Sequence, residues 1–203
     1  PPAPVGMPTA GAGVKENNWW LNNGATTAGV RNLVTMLGPA LLGSVGVPHS
    51  VVPDSFRGGA RGVVLAGQGL GMFDETGVRL VDSSSQPVTS APQGFADRLA
   101  RVPNSADGGG PQVVIDRYSV PGEPDRYSVY VGGTASFDPR SGTEPWDMTS
   151  NVMNAAGEES GSVAAVRAAM AAAGVDSTTP VQLVGYSQGG GVVACVAASG
   201  QYD

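Results

Sequence analysis

Cysteine and histidine are almost absent from this sequence. A single cysteine, Cys195, excludes an intrachain disulfide and a cysteine metal cluster, and a single histidine, His49, excludes a histidine-rich metal site. We therefore predict no metal and no cofactor. Cys195 lies in an apolar stretch near the end of the chain, where a free thiol packs as a small hydrophobic side chain.

Charged residues are also few, at 14% of the chain, and the formal net charge is −6. Binding to DNA or RNA requires clustered cations that neutralise phosphates, whereas the 11 Lys and Arg residues are scattered here, so no nucleic acid partner is expected. Long hydrophobic runs are missing as well. The most apolar stretch, 33–47, is broken by glycine and proline and is too short to cross a bilayer, so no transmembrane segment is predicted.

Glycine is abundant, with 31 residues, and the 41% hydrophobic content is enough to bury a core in a chain of 203 residues. Residues 1–16 have the proline, glycine and alanine composition of a linker. Residues 17–76 are predicted to be a helical and glycine-rich N-terminal extension, with a helix over 30–41. Residues 77–203 carry the strand and helix patterns of a folded domain.

Within 77–203, two β-rich runs at 113–118 and 126–131 are predicted to pair as neighbouring strands joined by a turn. A helix is predicted over 158–173, followed by a third strand at 181–184 and a further helix from 192. Strand, helix and strand in this order indicate a parallel unit. The predicted fold class is therefore α/β, with a mostly parallel sheet and flanking helices.

Three other segments have local patterns. A short strand is predicted at 77–81, and an amphipathic helix at 93–101 with Phe95 and Leu99 on one face. The glycines within 67–71 are superficially similar to a dinucleotide fingerprint, but their spacing is too close and no helix start follows. We interpret 57–71 as a flexible connector and keep nucleotide binding as a third-ranked hypothesis.

The motif that points to chemistry is GYSQG at 185–189, between the last predicted strand and helix. The pattern G-x-S-x-G is that of a nucleophile elbow, in which the serine lies on a sharp turn with its hydroxyl exposed. Flanking residues without side chains permit so tight a turn. Ser187 is therefore the predicted nucleophile, with an ordinary helix-capping serine as the alternative.

A serine nucleophile also needs donors that stabilise the oxyanion formed when it attacks a carbonyl. The backbone N–H of Gln188, directly after the nucleophile, is where an elbow places the first donor. Gly133 and Thr134 follow a predicted strand, and a second donor is expected there. The alternative is a strand that merely ends in glycines.

Three stretches carry a family resemblance. The residues YVGGT at 130–134, with Trp146 downstream, resemble the strand, oxyanion loop and lid entry of lipase-type α/β-hydrolases. GYSQG is similar to cutinases and to the PE-PPE-type hydrolase domain, and EPWDMTSN at 144–151 looks like a segment of a bacterial group of uncharacterised α/β-hydrolases. The resemblance covers the chain from about residue 112 onward. It implies an α/β-hydrolase fold in which Thr134 donates its hydroxyl to the oxyanion.

The resemblance further implies an ester or lipid-like substrate. The loop 135–148 is then a lid, and Phe137, Trp146 and Met148 are its expected contacts to an acyl chain. True cutinases depend on disulfides, which one cysteine cannot form, so that subfamily is not chosen. The resemblance favours a secreted or cell-envelope protein.

In such hydrolases the acid and the histidine follow the nucleophile, whereas His49 precedes Ser187 and is interpreted as a loop or surface residue. We therefore expect the acid and the histidine beyond Asp203. The hydrolase fold is expected to be C-terminally incomplete here, with a further segment or a partner chain completing the sheet. The leading hypothesis is a serine hydrolase that acts on carboxylic esters. The alternative is a non-catalytic binding or assembly module that keeps the fold.

Overall fold

The computed structural model describes residues 56–75, 77–80, 83–87, 90–104, 110–138, 140 and 142–202. The expectations for the linker, for the helix over 30–41 and for His49 lie outside the described residues. The described elements, in chain order, are α1 (Phe56–Gln68), α2 (Phe95–Ala100), β1 (Val113–Tyr118), β2 (Arg126–Val131), α3 (Met148–Ala156), α4 (Gly161–Ala172), β3 (Val181–Gly185) and α5 (Gln188–Ala198). None of these helices is long and apolar enough to span a membrane.

The three strands form one sheet in the order β1-β2-β3. β1 and β2 are antiparallel, with Val113 opposite Val131, and β2 and β3 are parallel, with Val131 opposite Gly185. The predicted hairpin and the predicted parallel pair are both confirmed, and the composition is α/β. The described sheet is mixed rather than mostly parallel, because the hairpin supplies one of its two pairings.

The apolar core lies on one face of this sheet. Alternate residues of β2 point to that face, where α4 and α5 cover them. Full burial of one large apolar side chain contributes roughly 1.5–3 kcal/mol. The buried members are Tyr127, Val129, Val131, Trp146, Val163, Val166, Met170, Val175, Val192 and Val196, and Cys195 packs half-buried against them.

On the opposite face of the sheet, Asp116, Ser128 and Gln182 form a polar row, and α2 and the residue after it bind there. Arg101 forms an ion pair with the buried carboxylate of Asp116, and Arg98 Nε donates to Gln182 Oε1 at 2.9 Å. The helix is shorter than predicted, and its expected apolar face is wrong, since Phe95 remains 75% exposed. Its attachment therefore depends on arginine side chains.

The predicted flexible connector at 57–71 is wrong, because most of it is the helix α1. Its buried face consists of small residues, and Ala60 and Val64 pack against Ala156 of α3. At the end of α3, Arg61 Nε donates to Glu158 Oε1 at 2.8 Å, a favourable position for a cation beside a helix C-terminus. The predicted strand at 77–81 is also not found, since its described residues, 77–80, have no strand pairing.

The helix α3 was not predicted, although its sequence carries both end signals. Asp147 is the N-cap and accepts a hydrogen bond from Ser150 N–H at 2.8 Å, and Gly157 ends the helix with φ 74°. The next helix, α4, begins later than predicted, because Ser160 caps it by accepting from Val163 N–H at 3.2 Å.

A half-buried carboxylate ties the segment after α1 to α3 and α4. Glu75 accepts a hydrogen bond from Ser150 Oγ at 3.0 Å and another from the backbone N–H of Gly161. Burial raises the pKa of Glu75 above its ordinary value, while those hydrogen bonds oppose the rise and the nearby Asp147 carboxylate adds to it.

We expect Glu75→Gln to raise stability at neutral pH and to reduce its pH dependence. A carboxyl with a raised native pKa binds its proton more tightly in the native state, so its ionisation destabilises the fold. That penalty is present above the raised pKa and disappears as the pH falls towards the ordinary glutamate pKa of 4.5. Thermal melts across this range should show a gain at neutral pH that shrinks on acidification.

Glu123→Gln is the matched control, because Glu123 is exposed and paired with Arg126 at the surface. Its effect on the melting temperature at neutral pH should be small, because an exposed ion pair contributes little. A Glu75→Gln variant that is less stable than the native protein at neutral pH would contradict the raised pKa of Glu75.

Candidate active site

Ser187 lies on the sharp turn between β3 and α5. Its backbone has φ 53° and ψ −120°, a conformation that L-residues rarely adopt. It holds the N-cap position of α5, yet its side chain makes no capping hydrogen bond. Ser160 and Asp147, the N-caps of α4 and α3, instead have extended backbones and do cap their helices. The hydroxyl of Ser187 is thus not used in capping.

The two glycines of the motif lie where any side chain would collide with backbone. A Cβ on Gly189 would lie 2.5 Å from Gly132 O and closer still to Val131 O, and a Cβ on Gly185 would lie 2.7 Å from Gly190 N. Glycine therefore lets the start of α5 touch both its own strand and the end of β2.

Backbone hydrogen bonds hold this turn in place. Tyr186 N–H donates to Val131 O at 3.2 Å, which fastens the turn to the end of β2. Gly189 N–H donates to Tyr186 O and Gly190 N–H to Ser187 O, both at 2.9 Å. Ser187 is consequently fixed by its neighbours on both sides while its side chain remains exposed.

The loop after β2 lies directly against the nucleophile, as the parallel pairing requires. A Cβ on Gly133 would lie 3.3 Å from Ser187 Cβ and 3.4 Å from the Tyr186 ring atom Cδ1. The next residue, Thr134, accepts a hydrogen bond at Oγ1 from Asn151 Nδ2 at 3.0 Å. This bond occupies an oxygen lone pair and leaves the Thr134 hydroxyl proton for another acceptor.

Gln188 is the first residue of α5 and is only 5% exposed. Its backbone N–H lies in the first turn, where helix geometry supplies no intrahelical acceptor and where the helix dipole favours negative charge. Its side chain reaches α3, because Nε2 donates to Asp147 O at 3.2 Å. The N-termini of α5 and α3 therefore meet beside Ser187.

The three predicted lid residues have different environments. Trp146 is only 2% exposed and belongs to the core, and its carbonyl accepts hydrogen bonds from Ala135 N–H and Ser136 N–H. Met148 is half-buried at the start of α3. Phe137 is 57% exposed, so it is the lid residue with a ring open to solvent. The loop is closed at its base by the Trp146 carbonyl.

The structure brings together Ser187, Gly133 and the first turn of α5, with Thr134 next in the loop. No side chain among the described residues is hydrogen-bonded to the Ser187 hydroxyl, and the described ranges contain no group of three His, Cys, Asp or Glu residues that could hold a metal. Comparisons with protein-family models, with curated proteins and with solved structures gave no match. The site is therefore interpreted from its own geometry.

We predict opposite effects of one added methyl group at two positions of α5. Gly189→Ala should destabilise the protein by about 2 kcal/mol or more, because the new Cβ meets rigid backbone oxygens. Gly191→Ala should stabilise it by about 0.5–1 kcal/mol, because its Cβ enters open space and alanine favours a helix. Denaturant titration measures both values, and equal effects would contradict the close contact.

We predict that Ser187→Gly is more stable than Ser187→Ala by about 1 kcal/mol. Both variants lose the hydroxyl, but glycine relieves the strain at φ 53°, whereas alanine keeps the Cβ that causes it. Thermal and denaturant unfolding of the two variants provide the comparison. A glycine variant that is the less stable of the two would show that Ser187 is unstrained.

Proposed function

We propose that this protein is a serine hydrolase of the α/β-hydrolase type that acts on carboxylic esters. Ser187 Oγ attacks the ester carbonyl, and the oxyanion is held by the Gln188 N–H and the Thr134 hydroxyl. The observation that carries the proposal is the backbone of Ser187, which is strained at φ 53° and ψ −120° and leaves the hydroxyl uncommitted to the helix.

Such strain has a free-energy cost of about 1–3 kcal/mol and persists where the surrounding structure imposes it. A serine that only begins a helix has no need of it, and Ser160 begins α4 from a relaxed backbone. An exposed nucleophile does need it, because the sharp turn lifts the hydroxyl away from the helix. The conformation of Ser187 therefore favours catalysis over capping.

The proposed oxyanion donors gain support from the loop after β2. Gly133 packs against Ser187 and Tyr186, so a carbonyl bonded to Ser187 would lie beside this loop. The bond from Asn151 fixes the Thr134 oxygen and leaves its proton to be donated. Donors that are fixed before the reaction stabilise developing charge most effectively.

The proposed chemistry proceeds through an acyl-enzyme. A general base accepts the Ser187 proton as the bond from Oγ to the carbonyl carbon forms, and the alcohol leaves with that proton. Water then attacks the acyl group and releases the acid. We assign the acid and the base to groups outside the described residues. The exposed ring of Phe137 is the proposed contact for an apolar acyl chain.

The sheet offers a place for an additional element. β3 has one neighbour in the described sheet, and an unpaired edge is a template for another strand. We propose that a further segment or a partner chain pairs there.

A second candidate is a non-catalytic binding or assembly module with the same fold. The observation that favours it is that no described side chain is hydrogen-bonded to the Ser187 hydroxyl. The two candidates differ in whether Ser187 reacts.

The test is reaction of the native protein, together with any further segment or partner chain that completes its sheet, with a fluorophosphonate probe, followed by peptide mass spectrometry. We expect one probe on Ser187 and none in Ser187→Ala. Ser199→Ala, at the other end of α5, is the matched control and should react like the native protein. Thr134→Val should slow the reaction by about tenfold or more, since removal of one oxyanion donor is costly.

A folded native protein with no probe on Ser187 would refute the hydrolase and leave the binding module. Labelling that persists in Ser187→Ala would place the reactive group elsewhere and would refute the assignment of the nucleophile.

A further inference from the structure

The first turn of α5 has only one side chain that can anchor it. Its residues are Gln188, Gly189, Gly190 and Gly191, and glycine is among the weakest helix formers. Ser187 adds no side-chain cap. The turn that carries a proposed oxyanion donor therefore has a low intrinsic helix stability. Gln188 supplies the only side chain in it.

That side chain is anchored to another helix. Gln188 is only 5% exposed, and Nε2 donates to the backbone carbonyl of Asp147 at 3.2 Å. Asp147 is itself fixed, because its carboxylate caps α3 through Ser150 N–H at 2.8 Å. The first turn of α5 is thus tied to a capped and packed helix.

Packing alone does not account for an amide at this position. Gln188 Oε1 is buried and has no hydrogen-bond partner among the described residues. Burial of an unpaired acceptor is unfavourable, so another interaction of the same side chain has to offset it. The hydrogen bond that Nε2 donates to the Asp147 carbonyl explains why an amide occupies this position.

We propose that the side chain of Gln188 is a positioning residue: by binding the Asp147 carbonyl, it holds the first turn of α5 so that the Gln188 backbone N–H stays at the oxyanion position. The inference rests on the proposed function and deepens it. The amide touches no substrate and acts through the helix start. A misplacement of about 1 Å in such a donor lowers a reaction rate by about a hundredfold.

The experiment separates positioning from stability. Gln188→Met keeps the side-chain length but removes the donor, and it should slow labelling of Ser187 by tenfold or more and lower the melting temperature. Gly191→Ala added to it should restore the melting temperature, because its Cβ enters open space in the helix. Labelling should remain slow in the double variant.

Two results would overturn the inference. The first is that Gln188→Met is labelled as fast as the native protein. The second is that the double variant recovers both its melting temperature and its labelling rate, because the side chain would then have only a structural role.

Gln188→Glu is a second variant, with a side chain of the same shape. Its labelling relative to the native protein should be slow when the carboxylate is ionised and should recover when it is protonated, because only the acid can donate to the Asp147 carbonyl. A pH-independent ratio would contradict the inference.

If Ser187 does not react in the native protein, the proposed function fails. Whether the Gln188 side chain anchors the first turn is then tested by itself, through amide hydrogen exchange at Gly190, whose N–H donates to Ser187 O at 2.9 Å. Faster exchange in the double variant than in Gly191→Ala supports the anchor. Equal exchange overturns it.

Discussion

The close backbone contact between the start of α5 and the end of β2 is the constraint on which this site depends. Gly189 lies against Val131 O and Gly132 O, where no side chain fits. Because the helix must begin so near the strand, the chain between β3 and α5 has only two residues to reverse direction. The second of these, Ser187, takes up the strain of the turn, and its hydroxyl is left exposed.

The same contact brings the loop after β2 to the nucleophile. β2 and β3 are parallel neighbours, so both end at one edge of the sheet, where Gly133 meets Ser187. The helix α3 supports this edge at two points, through Asn151 on Thr134 and through the Asp147 carbonyl on Gln188. α1 packs on the far part of α3, and Glu75 joins the segment between them to Ser150. α3 therefore connects the packing of α1 and Glu75 to the residues around Ser187.

Local patterns were enough to predict the strands and the turn. β1, β2 and β3 are apolar runs bounded by turn residues, and GYSQG requires a tight turn whatever surrounds it. The contact between Gly133 and Ser187 follows from parallel pairing, which the order of strand, helix and strand already indicated.

Other parts of the fold depend on tertiary contacts that propensity does not reveal. α1 contains four glycines and would be a poor helix alone, but its small residues allow close packing on α3. α3 is a short helix of nine residues and was not predicted, although the Asp147 cap and Gly157 were visible signals. Phe95 had the spacing of a packed residue, yet α2 is attached through Arg98 instead. Trp146 lies in the loop that was interpreted as a lid, and only the contacts of the folded chain show that its side chain belongs to the core.

The most direct measurement is a crystal structure of the protein after reaction with a phosphonate ester, which mimics the tetrahedral intermediate. The account predicts phosphorus bonded to Ser187 Oγ, with one phosphoryl oxygen about 2.7–3.1 Å from both Gln188 N and Thr134 Oγ1. Phosphorus on another residue, or a phosphoryl oxygen that faces solvent away from these two donors, would contradict it.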